Sequence, residues 1–304
     1  MEKRGFIFDL MDELENNANI HRGLLIDLEK KAQRSVVFYH ANMGHPMGLM
    51  LDHDAETFED ILRTLDLEKF EKKLDLAIHS PGGLPEVAAK FVKIARSYST
   101  HFRVVVPSTA MSAATLMAMG ADQIVMSDTS KLGPIDPQMQ TVNKAGQPIR
   151  RPAKSFIDAY ESLIEKAHAA IAGQKPPQAF FALLNNEDPS WIRQCIQARE
   201  ATKRLATQLL TDHMLQGKSG QVINDAVEKF FNAGDEGTHG SPIYWEQARQ
   251  FGLKIHHEDK VSPAWKLTRE LFIRLERYVG TKGQAKYFLC RKGGVDVNVQ
   301  LRNL

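Results

Sequence analysis

Residues 76–138 read LAIHSPGGLPEVAAKFVKIARSYSTHFRVVVPSTAMSAATLMAMGADQIVMSDTSKLGPIDPQ, and their order decides the fold. An apolar strand at 76–78 runs into Pro81, Gly82 and Gly83, and a segment of helical period follows at 85–98. A second strand at 103–107 then leads to Ser112, set among Ala110, Ala113 and Ala114. Strand, glycine turn, helix, strand and serine bring backbone N–H donors and a hydroxyl together. The near-continuous apolar character of the first strand, 74–78, suits a parallel sheet covered on both faces.

The pattern continues on either side. Residues 35–40 form a compact strand rich in β-branched and aromatic side chains, followed by a loop and a helix with Asp54 as its N-cap candidate. Another short strand lies at 123–126. Strand and helix units of this size imply right-handed crossovers and a layered α/β core. Upstream, apolar residues at helical spacing over 6–33 predict one or two amphipathic helices. Downstream of Leu132, the Pro- and Gly-rich segment to Ala153 reads as an excursion over the surface, and a helix begins at Lys154. A break at 174–177 precedes helical segments at 190–215, 221–232 and 245–251, the last stopped by Gly252. A final amphipathic helix at 264–278 leads to a hairpin or strand tail at 286–290 and 295–301.

The chain has 304 residues, 43% hydrophobic and 25% charged, enough for one large α/β domain or two small ones. Its 39 Lys and Arg against 37 Asp and Glu give no bulk electrostatic reason to expect nucleic acid or an anionic membrane as partner. Cys195 and Cys290 stand far apart and outside any CxxC pattern, which suggests neither a zinc site nor a disulfide framework. Acidic residues stand where a signal peptide would have its apolar core, and no run approaches the ~18 apolar residues that span a bilayer, so the expectation is a soluble, cytoplasmic protein. The spacing of His40, His45 and His53 matches no ligand motif, and they read as loop histidines.

Acyl transfer needs an activated nucleophile and donors aimed at the developing oxyanion, each donor worth ~3 kcal/mol in the transition state. Gly82 and Gly83 after a strand allow a backbone N–H to approach a substrate, and the amide of Ala113 at a helix start offers a second donor. Ser112 at a strand-to-helix junction is the nucleophile candidate. The plainer alternative is a tight turn and a small residue that lets a helix pack closely. The two features together, each after its own strand, favour a site. For the base, Lys131, Lys144, Lys154 and His168 lie downstream and His79 and His101 upstream, and composition does not select among them. A lysine serves only where desolvation lowers its pKa. Lys154 at a helix start after the proline-rich loop could be so placed; its alternative is a solvated first-turn lysine.

SPGG, the serine within AMSAATLMAMGADQIVM, and SKLGPIDPQ together resemble the ClpP-like serine proteases of the ClpP and crotonase superfamily. Within it the chain is similar to the serine dehydrogenase proteinases, relatives of signal peptide peptidase A and of the NfeD-partner proteases. The resemblance covers residues 36–160 and extends more weakly to 238–255, THGSPIYWEQARQFGLKI. It implies a spiral of ββα units with additional C-terminal helices, Ser112 as nucleophile, and an oxyanion hole from Gly82, Gly83 and Ala113. The register of the Clp peptidase histidine holds Asp136 and Pro137 here, so a Ser-His-Asp triad is not carried over. The signal-peptide-peptidase branch uses a lysine instead, and Lys154, 42 residues after Ser112, stands in a similar segment, RRPAKSFIDAY. The resemblance therefore implies a Ser112 and Lys154 dyad acting on a peptide or unfolded protein, with no metal or nucleotide cofactor.

Relatives of this kind are usually oligomers that hide the site, which gives the helices after residue 175 a role in assembly or gating. On this reading residues 1–34 are an N-terminal helical segment, 35–260 the protease domain with a helical part at 154–232, and 261–304 a C-terminal helix and strand tail. A crotonase-like acyl-CoA enzyme and an inactive oligomeric scaffold are the competing readings.

Overall fold

The computed structural model describes residues 6–142, 146–233 and 241–297. A long helix α1 (Phe6–Ala32) leads into β1 (Ser35–Ala41), α2 (Asp52–Thr64), β2 (Lys73–His79), α3 (Pro85–Tyr98) and β3 (His101–Val105). Then come β4 (Thr109–Ala110), α4 (Ala113–Met119), β5 (Gln123–Met126), β6 (Lys131–Leu132), β7 (Gln138–Val142) and β8 (Pro148–Pro152). Helices α5 (Ala153–Ala172), α6 (Gln178–Leu184), α7 (Pro189–Leu209), α8 (Gly220–Asn232) and α9 (Trp245–Gln250) follow. Strand β9 (Ile255–His257), α10 (Pro263–Lys282), β10 (Lys286–Cys290) and β11 (Gly293–Asp296) complete the order.

The fold is mixed α/β and ClpP-like, built on a mostly parallel sheet with strand order β11-β10-β1-β2-β3-β5-β9. Strands β1, β2, β3, β5 and β9 run parallel, while β10 and β11 are antiparallel additions at one side. Both faces are covered, which is why β1 is buried at every position. Val37, Tyr39, Leu76, Ile78 and Val104 point into the larger core with α2, α3, α4, α7 and α8. Phe38, Ala77, Val105 and Val125 point the other way, against Leu25 and Leu28 of α1 and Trp265, Leu271 and Leu275 of α10.

Helix α3 spans the predicted residues, because Pro85 sits at its first turn and Ser99 is already extended. Asp54 lies three residues inside α2; the N-cap is Leu51, whose N–H donates to the Asp54 carboxylate at 2.7 Å. The expected loop histidines are otherwise placed: His40 is the penultimate residue of β1 and His53 lies in the first turn of α2, leaving His45 in the loop. The excursion after Leu132 holds an unforeseen hairpin, β7 with β8. The unforeseen α6 follows the break at 174–177, in a stretch to which the sequence reading gave no element. Of the C-terminal tail, the part beyond Val297 lies outside the described residues, as does Thr238–Gly240 of the weaker resemblance.

Candidate active site

The glycine turn is locked to the serine segment by a parallel bridge between Ser80 and Ala110. Ser80 N–H donates to Thr109 O, and Met111 N–H donates to Ser80 O, each at 3.0 Å. Gly82 has φ +94, and a Cβ on it would lie 2.5 Å from Met111 O and 3.0 Å from Ala113 N and Ser112 Cβ. Only glycine fits, because the turn abuts the serine's own backbone. Gly83 is required for a different contact: a Cβ there would lie 2.3 Å from Met50 O and 2.4 Å from Met50 N.

That second contact orients a donor. Met50 N–H donates to Gly82 O at 2.8 Å, and Leu84 N–H donates to Met50 O at 3.2 Å. Both bonds of this parallel bridge use Met50's own amide and carbonyl, so the N–H and C=O of Gly83 face away from Met50. Gly83 and Ser112 line one cavity of about 300 Å³.

Ser112 is the N-cap of α4, at φ 51 and ψ −116, and its hydroxyl makes no capping bond. A capping serine is ordinarily extended and accepts from the first turn. Ser219 and Ser262 do so in this same chain: both are extended, and their side chains accept from Val222 N–H and Trp265 N–H. Ser112 does neither and holds a backbone conformation costing about 1–3 kcal/mol. Its surroundings enforce it: every residue of α4 is buried, and Thr115 Oγ1 donates to Ala110 O at 2.9 Å while accepting from Gly133 N–H at 3.1 Å.

The cavity has an apolar floor of Met111, Leu116 and Ile135, and Leu49, Leu51 and Leu84 form one wall. Its polar rim, Gln138, Gln140 and Arg150, comes from the β7–β8 hairpin. Behind the wall lies a wholly buried ion pair, Lys286 and Asp54. Lys286 Nζ donates to Asp54 Oδ2 at 2.7 Å and to Leu49 O at 3.1 Å, and the same Oδ2 accepts from Leu51 N–H and from the Tyr39 hydroxyl at 3.2 Å. Burial pushes the Lys286 pKa down, and the attraction of Asp54 offsets that only in part. The pair pins both ends of the segment that bridges Gly83.

The candidate bases are dispersed. Lys154 lies in the first turn of α5, where Ala153 N–H donates to Pro137 O at 2.8 Å and Lys154 N–H to Asp136 Oδ2 at 3.3 Å. Its ammonium pairs with Asp158 at 2.9 Å, and it is not among the residues that line the cavity. Lys131 is in β6, His168 is exposed on α5, and His101 stands beside Arg34 at the start of β3. His79 faces α10 on the reverse side of the sheet, and Lys144 lies outside the described residues. Asp136, in the Clp histidine register, is an anchor: it holds the start of α5 and pairs with Arg199 of α7 at 3.3 Å. Among the described residues, the cation that lines the cavity is Arg150, which the sequence reading passed over and whose guanidinium offers donors but no acceptor.

Residues 26–170 match the family described as ClpP-like SDH-type serine proteinase. Over this span the chain is similar to that family. The proteinase match runs from α1 into α5 and so includes the glycine turn, Ser112 and Lys154. Two uncharacterized proteins of Methanocaldococcus jannaschii are similar. MJ0137 is 32% identical over 66% of this chain and 59% of its own length. MJ1495 is 35% identical over 36% of this chain and 35% of its own. The chain thus spans less than two thirds of the length of either relative. Among solved structures, a serine-to-alanine mutant of the 1510-N membrane-bound stomatin-specific protease covers 48% of this chain and 68% of its own at 15% identity, with a TM-score of 0.31, too low to bear on the fold. Among the described residues, no helix is long and apolar enough to cross a membrane.

The contact at Gly83 makes an expected result. Gly83→Ala drives a methyl into the Met50 backbone, which cannot retreat without losing its two bridge bonds. The variant is expected to lose about 1–3 kcal/mol of stability and, by displacing the amide, roughly 100-fold in kcat for any acyl-transfer substrate. Denaturant titration and steady-state kinetics on the folded fraction measure both. Wild-type kcat in Gly83→Ala would remove this amide from the site.

Proposed function

We propose that the chain is an ATP-independent serine peptidase that hydrolyses peptide bonds through an acyl-enzyme, with Ser112 as nucleophile and Lys154 as base. The single observation that carries it is Ser112 itself: a strained serine at a helix start that forgoes the capping bond and opens on a cavity beside Gly83. Ser112 Oγ bonds to the scissile carbonyl carbon while its proton passes to Lys154 Nζ. The amides of Gly83 and Ala113 hold the oxyanion, with Gly82 keeping the turn close enough for both. As the C–N bond breaks, the amine takes that proton, and water then hydrolyses the ester.

Support for Lys154 is its position directly after the hairpin that rims the cavity, on a backbone tied to Pro137, a cavity residue. For it to act, the side chain must leave Asp158 and turn inward, which also desolvates it and lowers its pKa. Self-assembly would do this, and α5 and α6 carry exposed Ile171, Phe181 and Leu183 suited to such an interface. The apolar floor and wall favour an extended peptide presenting an apolar side chain. Two buried free cysteines accord with a reducing, cytoplasmic setting.

Labelling with a fluorophosphonate probe tests the reading. Wild type should be labelled, Ser112→Ala should not, and Lys154→Ala should label at least 10-fold more slowly. Full-rate labelling of Lys154→Ala would remove the lysine from the mechanism, and no labelling of wild type by several serine-reactive probes would turn the reading toward an inactive scaffold.

A further inference from the structure

Strands β1 and β2 each carry a histidine at their downstream ends, and the parallel register sets His40 against His79. By alternation both share the sheet face of Phe38 and Ala77, under α10, opposite the core that α4 enters. Glu276 of α10 reaches down to them, with Oε2 at 2.7 Å from His40 Nε2 and 3.6 Å from His79 Nε2. One ligand atom from each of the three residues lies within 4.8 Å of the others. Phe272, one helical turn before Glu276, covers both imidazoles at 5.6 and 5.0 Å between ring centroids.

His79 makes this more than a hydrogen-bonded pair. It is 5% exposed, its Nδ1 is buried without a partner, and its Nε2 stops short of hydrogen-bond distance from Glu276. A buried imidazole with an unpartnered nitrogen, set beside a second histidine and a carboxylate, has ligating capacity that the protein leaves unused. Hydrogen bonding within the cluster reaches only His40 Nε2, and the Nδ1 atoms of both histidines are buried without a partner.

We propose that His40, His79 and Glu276 form a zinc-binding site on the sheet face opposite Ser112. Two neutral imidazoles and one carboxylate are a common zinc ligand set, and three protein ligands leave a fourth position for water. Zinc bonds of about 2.05 Å place tetrahedral ligand atoms about 3.3 Å apart. The gap from Glu276 to His79 is close to that edge, and the gap to His40 must open by about half an ångström. Glu276 can supply that movement, since its side chain is 52% exposed, whereas both histidines are held by the sheet. The apolar cover from Phe272 excludes solvent from one side, as around many metal centres. Burial and the neighbouring His40 hold the His79 pKa to about 3, which keeps it in the neutral form that ligates. Lys131 and Arg269 also bear on His79 and temper the affinity, although Arg269 is turned away to donate to Pro107 O at 2.8 Å.

The test is titration of the chelator-treated full chain with Zn2+ alone, by calorimetry, and with Co2+, by visible absorption. A single saturable Zn2+ event per chain, with cobalt d–d bands of a four- or five-coordinate nitrogen and oxygen site, is expected. Glu276→Ala alters a half-exposed helix position and should fold as wild type by circular dichroism, while weakening Zn2+ binding at least 10-fold. His79→Ala should do the same and abolish the rise in Tm that Zn2+ gives wild type. Absence of saturable binding to wild type, or equal binding by wild type and Glu276→Ala, overturns the proposal.

Discussion

Replacing Ser112 by glycine should give a protein that is more stable than wild type and inert. At φ 51 and ψ −116 a side chain is strained by about 1–3 kcal/mol, and glycine adopts this region freely. The added freedom of glycine in the unfolded chain takes back up to about 1 kcal/mol, and no hydrogen bond to the hydroxyl offsets the gain. The net expectation is about 1 kcal/mol of added stability, a rise in Tm of roughly 2 °C for a chain of this size. Peptidase activity in both Ser112→Gly and Ser112→Ala should fall by on the order of 10⁴-fold or more, as when a nucleophile is deleted, while Ser112→Ala keeps wild-type stability. Calorimetric melts and single-turnover assays read the two quantities separately. A destabilised Ser112→Gly, or a Ser112→Ala that still cleaves, would make Ser112 a structural serine.

The second large effect lies behind the cavity wall. Lys286→Met leaves the Asp54 charge buried and uncompensated, and losing one partner of such a pair costs about 3–5 kcal/mol. The double variant Asp54→Asn with Lys286→Met removes both charges, and the asparagine oxygen still accepts from Leu51 N–H. It should recover more than half of the loss; Leu49 O remains without its donor, at about 1–3 kcal/mol. Urea titration of the two variants measures the difference. Equal stabilities would show that the pair is not coupled. The double variant should also lose activity beyond its stability loss, because a looser segment 49–51 no longer fixes Gly83.

The parallel strands and α3 are legible in the sequence because each obeys a local rule: a continuous apolar run for a doubly covered strand, and proline at the first turn for the helix. Ser112, the proposed nucleophile, is legible by its position between a strand and small residues, yet the torsion that distinguishes it from a capping serine has no local signal. The β7–β8 hairpin escaped because it stands out from the body, with polar residues on both faces and proline at both ends of β8. Lys286 reads as an ordinary first residue of a strand, and nothing near it in sequence announces Asp54. His40 and His79 were each visible, but their adjacency follows from β1 and β2 pairing in parallel, a long-range fact. The lysine remains the least legible part: Lys154 is picked out by resemblance, and its ammonium pairs with Asp158 rather than lining the cavity.

The reach of Lys286 back to Asp54 spans 232 positions of the chain. A ribosome delivers the glycine turn and Ser112 long before it delivers β10, the antiparallel neighbour of β1 and the source of that ammonium. Until then Asp54 has no countercharge and the segment beside Gly83 has no anchor at Leu49. A half-made chain therefore holds Ser112 beside an unfinished cleft, and only the far end of the chain supplies the charge that completes it.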